Sequence, residues 1–354
     1  LGYGGFHLIE AASKDAANLL NTYLDAGGNY IETAASYGDG ISERKIGAAV
    51  SGRRKDFVLA TKVMERDSES AAALIDRSLK NLKTDCVDIL YMHAVQNFTE
   101  LDEILEDNGA VAAALEARKA GKVKYIGITG HGRQHFLYQA IKRFPFDVLM
   151  TGFNYLDRFN YPENEVLVLT EALRHNIGIF GMKALADGYL YRSWQSAFRY
   201  ALSLPVHCLV VGMANSDQLG KALETVKNFV PMTAEEKEEL FLRAPELSDY
   251  VCRQCGKCRE KNFDPSKIFA LEGLFDRQMD SMRPGSPADF ALQERLKSWF
   301  QQDELARDEY ASLPYAVDPG ADYSRLNSRC PYGIDLDRKL KIAHGKLDRS
   351  GYIY

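Results

Sequence analysis

The sequence has no run approaching the ~20 consecutive apolar residues that a membrane-spanning helix needs. No dense stripe of lysine and arginine suggests a nucleic-acid partner. Cysteine is scarce: six residues are too few for a disulfide framework in a 354-residue chain long enough to build its own core. The segment that follows the first apolar run, Gly2-Tyr-Gly4-Gly5-Phe, lacks the G-x-G-x-x-G spacing by which a doubly wound sheet binds a dinucleotide. What remains is an ordinary soluble composition, 46% hydrophobic and 26% charged, with a net charge of −5 and a mean hydropathy of −0.29. It predicts a cytoplasmic protein with a barrel-sized domain and an appendage. Leu1 opens inside an apolar segment, so a targeting signal upstream of it stays open.

The first two thirds of the chain alternates short β-rich runs with amphipathic stretches. Strand candidates fall at 1–5, 30–33, 57–62, 87–93, 123–129, 146–152, 177–182 and 207–212. Helical patterns separate them, such as Ile75, Leu79 and Leu82, with stops at Gly27-Gly28 and Gly121. Eight strands alternating with single helices predict an α/β fold, a closed TIM (β/α)8 barrel over residues 1–230.

In such a barrel chemistry belongs at the carboxyl ends of the strands. Strand 2 ends at Glu32-Thr33 and leads to Tyr37-Gly38-Asp39-Gly40, strand 3 ends at Lys62 and strand 4 at His93. Alone, Lys62 reads as a snorkelling side chain and His93 as a core histidine satisfied by a carbonyl. Together, on consecutive strands with a tyrosine and a carboxylate, they read as a site.

Four blocks carry a resemblance. The segment from Asn29 through Glu32, Tyr37, Ser42 and Glu43 to Gly47, then Ala60-Thr-Lys62, then Asp85 to His93, and Gly121 to Ile128, resemble the aldo-keto reductase superfamily. The resemblance implies a tetrad of tyrosine, lysine, histidine and aspartate working with NAD(P)H, matched here by Tyr37, Lys62 and His93. The aspartate position holds Glu32, one methylene longer, which is expected to fold back or to push Lys62 out of line. The physical logic is independent of the name. A carbonyl accepting hydride develops alkoxide charge and needs a proton donor and a fixed positive field. Tyr37 becomes a usable acid only beside an ammonium such as Lys62, and His93 can give the substrate oxygen a second hydrogen bond.

By position in the barrel, Thr129, Gly130, Asn154 and Met182 should line the nicotinamide pocket. Met182 stands where many relatives place a tyrosine. The segment Gly212-Met-Ala214-Asn215-Ser216-Asp217-Gln218 opens the last helix, whose N-terminal amides suit a phosphate. Ala214 occupies the position where NADPH-selective relatives place an arginine, so NADH and NADPH both stay open. Asp39, His131, Arg133, Asp157 and Arg158 form a polar rim suited to a sugar-like substrate.

Residues 231–354 read as a C-terminal, mainly helical extension, with helical patterns at 234–243, 271–282 and 290–313 around a loop with Pro284, Gly285 and Pro287. Its cysteines run Cys252-Arg-Gln-Cys255-Gly-Lys-Cys258, answered by Cys330-Pro331. Bacterial ferredoxins carry C-x2-C-x2-C-x3-C-P twice, each cluster taking three cysteines from one run and the Cys-Pro cysteine of the other. One complete ligand set survives here, which predicts one 4Fe-4S cluster on Cys252, Cys255, Cys258 and Cys330. Zinc and unpaired thiols are the alternatives. The tail resembles the ferredoxin-like extension found in a subgroup of aldo-keto reductases. The cluster would staple the appendage or relay single electrons, which leaves an electron-transfer partner open. The expected activity is NAD(P)H-dependent interconversion of a carbonyl and an alcohol on a small molecule. The alternative is a nucleotide-binding redox sensor or electron-transfer protein without carbonyl turnover.

Overall fold

The computed structural model describes residues 1–131, 135–276 and 303–349. Arg133 of the expected rim, the loop at 284–287 and most of the pattern at 290–313 lie outside them. The chain divides into two compact units. The first holds Leu1–Phe153, Glu163–Ala184 and Trp194–Pro231; the second holds Asn154–Pro162, Leu185–Ser193 and Met232–Tyr354.

In the first unit eight parallel strands close into a barrel in chain order: β1 (Gly2–Gly4), β2 (Tyr30–Glu32), β3 (Val58–Val63), β4 (Val87–Met92), β5 (Val123–Thr129), β6 (Val148–Gly152), β7 (Gly178–Met182) and β8 (Cys208–Gly212). Each starts within a residue or two of its apolar run. A parallel sheet buried on both faces needs short, nearly continuous apolar strands with helical crossovers. Tyr30, Ala60, Ile89, Tyr91, Val148, Met150 and Val210 pack inside the barrel, and Tyr30 and Tyr91 satisfy each other's hydroxyls at 3.2 Å.

The helix Ser68–Leu82 shows how the outer ring is specified. Asp67 caps it by accepting from the Ser70 amide at 2.8 Å, and Lys83 ends it in the left-handed region at φ 54°. Its inner stripe buries Ala71, Leu74, Ile75, Leu79 and Leu82, with each large aliphatic contributing about 1.5–3 kcal/mol. The neighbouring helix Ile41–Val50 approaches it at Gly47, where an added Cβ would lie 2.3 Å from the Asn81 carbonyl oxygen. Only glycine permits that spacing.

The second unit is mainly helical in its described residues. Thr233 and Glu236 form a reciprocal capping box on the helix Ala234–Arg243. The pattern expected from 271 begins earlier, in a helix Pro265–Asp276. Pro265 suits the first helical position, where a missing N–H costs nothing, and Asp264 accepts from the Ser266 amide at 3.1 Å. Ile268, Phe269, Leu271 and Leu274 of this helix pack with Leu336, Leu340, Ala343 and Leu347 of the helix Leu336–Leu347 and with Ala306 and Tyr310 of Asp303–Ala311. The described residues contain no helix long and apolar enough to cross a membrane.

Candidate active site

The tetrad residues converge at the carboxyl ends of β2, β3 and β4. Lys62, 2% exposed on β3, donates to the Tyr37 hydroxyl at 3.0 Å and to the Thr33 carbonyl at 2.9 Å, and it contacts the Glu32 carboxylate directly. Lys62 stays on the tyrosine, because the chain turns immediately after β2 and brings Tyr37 back over the strand end. The Tyr37 amide closes that turn on the Ala34 carbonyl at 3.0 Å, and the chain then leaves through Gly38, Asp39 and Gly40 at φ 62°, 46° and 77°, a left-handed stretch that glycine enters without a Cβ penalty. Phe6, after β1, holds the Tyr37 ring edge-on at 4.9 Å between centroids.

His93 is 1% exposed, with its ring 5.8 Å from that of Tyr37. Ser36 Oγ lies 3.3 Å from His93 Nδ1, while Nε2 is buried without a partner among the described residues. Arg66 fixes the backbone here, donating to the His93 carbonyl at 2.9 Å and the Ala94 carbonyl at 3.2 Å and pairing with Glu100 at 2.7 Å. Ala94 follows in the left-handed region at φ 50°, its amide donating to Thr129 Oγ1 at 2.8 Å. A non-glycine residue held there is strained, and it aims the imidazole.

The electrostatics follow from burial. Burial lowers the Lys62 ammonium well below its ordinary value, and the touching Glu32 carboxylate opposes that loss. Burial raises the Tyr37 phenol, which keeps its proton until charge develops nearby. Burial, with the charges of Lys62, His131 and Arg66, holds His93 far below the usual imidazole range and therefore neutral. His131, whose ring is 6.3 Å from His93, is depressed by burial and by Lys183 and Lys62.

The expected cofactor residues are spread more widely. Thr129 and Gly130 sit beside His93, with Thr129 bracing Ala94 and Gly130 donating to the Met150 carbonyl at 3.3 Å. Met182 packs against the barrel interior. Asn154 belongs to the second unit, where it donates to Asp157 at 2.7 Å and accepts from the Asp157 amide at 2.8 Å. At β8, Gly212 lies against His7, and a Cβ there would stand 2.3 Å from His7 Nδ1. Asn215 caps the helix Ser216–Lys227 by accepting from the Gln218 amide at 2.9 Å, and Gln218 accepts from the Ala214 amide at 2.7 Å. Asp217 pairs with Lys221 at 2.6 Å. Of the rim, Asp39 turns to Arg77 at 3.1 Å, and Asp157 and Arg158 belong to the second unit, with Arg158 over the Phe241 ring at 5.4 Å.

Sequence reasoning passed over Phe6, Thr33, Ser36 and Arg66. Ser36 adjoins Tyr37 and offers a weak signal; the others act through a ring edge, a carbonyl and a strand-end loop, which no motif marks.

A family model for the aldo/keto reductase family matches residues 1–199, more than half of the chain. The chain belongs to the aldo/keto reductase family. Among curated relatives, an uncharacterized oxidoreductase of Bacillus subtilis is 28% identical over 202 residues, 54% of this chain and 62% of that protein. An L-galactose dehydrogenase of Arabidopsis thaliana is 29% identical over 192 residues, 51% of this chain and 58% of that protein. The chain thus spans less than two thirds of the length of these relatives. An aldo-keto reductase structure from Bacillus halodurans shares the fold at TM-score 0.58 and 24% identity, covering 68% of this chain and 90% of that one. One from Klebsiella pneumoniae in complex with NADPH shares it at TM-score 0.57 and 19% identity, covering 68% and 89%.

In the second unit, Cys252, Cys255, Cys258 and Cys330 line one small cavity together with Arg253, Gly256 and Tyr332. Gln254 at φ 54° and Gly256 at φ 70° curl the loop, and the Gln254 amide donates to Cys252 Sγ at 3.4 Å. Among the described residues no three His, Cys, Asp or Glu side chains are arranged to hold a metal ion. The four thiols surround a space without converging on one point.

Proposed function

We propose that this aldo/keto reductase interconverts a carbonyl and an alcohol on a small molecule with a nicotinamide dinucleotide. The contact that carries the reading is Lys62 on Tyr37 at 3.0 Å, backed by Glu32. A protein that only bound a nucleotide would have no use for an ammonium buried against a phenol. The residues fit the cofactor in one respect that needs explaining: among the described residues His7 Nδ1 is buried without a partner, beside Gly212 at the mouth of β8. Such an atom costs about 1–3 kcal/mol unless a ligand meets it. Thr129, Gly130, Met182, Gly212, Ala214, Asn215 and Gln218 would complete that site, and Asn154 is assigned to it by sequence position alone. When bound, the reduced cofactor supplies the hydride.

The chain supplies the rest. Neutral His93, through Nε2, hydrogen-bonds the substrate oxygen and aligns it with Tyr37. As negative charge grows on that oxygen, the Tyr37 hydroxyl donates its proton, and Lys62 stabilises the phenolate left behind. Glu32 holds Lys62 in place and balances its charge. His131, of the expected polar rim and 6.3 Å from the His93 ring, favours a polar, sugar-like substrate. Ala214 in place of a basic residue favours comparable use of NADH and NADPH.

For the second unit we infer one 4Fe-4S cluster on Cys252, Cys255, Cys258 and Cys330. The support for it is that all four cysteines line one small cavity and that their spacing, three clustered thiolates and a remote Cys-Pro, suits a cluster better than the paired knuckles of zinc. Such a cluster, when bound, can staple the loops or pass one electron at a time.

The test is oxidation of NADH and NADPH by a panel of aldehydes and sugars. Tyr37→Phe should lower turnover at least ~100-fold while dinucleotide affinity, measured by fluorescence, stays nearly unchanged. Equal loss of affinity would make Tyr37 a structural residue.

A further inference from the structure

His93 raises a question that the tetrad alone leaves unanswered. Its imidazole is neutral, so only one ring nitrogen carries a proton, and the two tautomers are opposite in function. With the proton on Nε2, the ring can donate to a carbonyl oxygen. With the proton on Nδ1, Nε2 presents a lone pair to an oxygen that can only accept, and the site repels the substrate it should align. The His93 backbone, tied down by Arg66 and the left-handed Ala94, fixes where the ring points but not which nitrogen is protonated.

One side chain faces the other nitrogen: Ser36 Oγ, 3.3 Å from Nδ1. A hydroxyl can donate or accept, whereas a carbonyl oxygen can only accept. With substrate in place, therefore, a single arrangement satisfies both nitrogens: Ser36 O–H donates to Nδ1, and Nε2–H donates to the substrate. We propose that Ser36 is a positioning residue that selects the Nε2-protonated tautomer of His93 and so makes it a hydrogen-bond donor to the substrate oxygen. The role rests on the reductase reading above. It is specific to a hydroxyl at this position, three residues past Thr33 and directly before Tyr37, so one short turn carries both the acid and the group that orients its partner. Ser36 itself is exposed, which makes its conservative replacement tolerable to the fold.

Two measurements test this. In protein labelled with nitrogen-15 at histidine, long-range proton–nitrogen spectra distinguish the tautomers, and His93→Gln identifies the His93 signals. With a saturating carbonyl compound present, the wild type should show protonated Nε2 and bare Nδ1, and Ser36→Ala should show a mixture or the reverse. In kinetics, Ser36→Ala should lower kcat about 5- to 10-fold, the worth of one hydrogen bond, with KM and dinucleotide affinity nearly unchanged. Ser36→Thr, which keeps the hydroxyl, should restore both readouts. A wild-type spectrum with protonated Nδ1 overturns the proposal. So does a Ser36→Ala protein whose tautomer and kcat are unchanged, the result if water simply replaces the hydroxyl, or one in which only KM moves. If no carbonyl is turned over by the wild type, the reductase reading fails, and the ring-nitrogen spectrum still judges Ser36 by itself.

Discussion

The two units bury polar groups to opposite ends. In the barrel, buried Lys62, His93 and Glu32 are gathered at the strand ends, and Nε2 of His93 and Nδ1 of His7 are left without a partner among the described residues. In the second unit the buried charges are bound to one another. Lys339 contacts Glu272, with both side chains 5% exposed or less, and lies 3.6 Å from the centre of the Tyr250 ring; Lys346 reaches the same carboxylate at 3.0 Å. Arg253 is spent on the carbonyls of Phe241, Leu247, Ser248 and Val251. Open valence in an apolar setting is costly, and it persists where a ligand completes it. Closed networks hold helices together where the apolar core is small.

The comparison breaks most readily at Cys330. Cys330→Ser should abolish bound iron and labile sulfide, expected in the wild type at about four of each per chain, and expose the second unit to protease while the barrel resists it. Zinc without sulfide in the wild type would end the cluster reading. Next, Lys339→Met leaves Glu272 with Lys346 and the Tyr250 hydroxyl only, at a cost of about 3 kcal/mol to the second unit, the low end for a broken buried pair. Segment-resolved hydrogen exchange should show the loss in Pro265–Asp276 and Leu336–Leu347 and none in β1–β8; equal loss in both would mean that the units are not energetically separate.

A smaller effect is expected at the barrel's open end. Ala214→Arg should shift preference toward NADPH by about 1.5–3 kcal/mol, the worth of a charge-assisted bond. A wild-type preference for NADPH above ~100-fold, about 2.7 kcal/mol, would point instead to another basic group. The subtlest contrast is in acid. Burial lowers His7 from 6.5 to about 4, so between those values the unfolded chain binds a proton that the barrel refuses, and barrel stability falls as pH drops from 6.5. His93 and His131 act in the same sense. Burial would raise the carboxyl of Glu272, but Lys339 and Lys346 hold it below its ordinary 4.5, so its contribution is intact above that value and fades only as pH falls through the lower folded one. Exchange protection, taken relative to the intrinsic amide rate at each pH and measured at pH 7, 5.5 and 4 (roughly the span of these groups), should fall in the barrel first. The reverse order would contradict the contrast.

How much of this could be read from the sequence depends on the range over which each feature is encoded. The eight strands and the positions of Tyr37, Lys62 and His93 were legible because a parallel barrel repeats an apolar run every unit and puts its polar residues at run ends. The helix at 234–243 was legible from its capping residues. Glu32 was expected to fold back or to push Lys62 out of line; in the structure Lys62 touches its carboxylate and keeps its hydrogen bond to Tyr37. One expectation fared differently for a physical reason. The helix expected from 271 starts at Pro265, since proline reads as a breaker unless it stands in the first turn.

The sequence by itself determined the strand alternation, the tetrad positions and the set of four thiols, because periodicity and residue type are local properties of the chain. Only the tertiary structure decided that Ser36 faces His93 Nδ1, that Arg66 ties down the backbone behind it, that His7 lies on Gly212, and that Asn154–Pro162 and Leu185–Ser193 pack with the second unit rather than the barrel. These relations join residues distant in sequence through side-chain direction and packing, and neither is encoded in spacing along the chain.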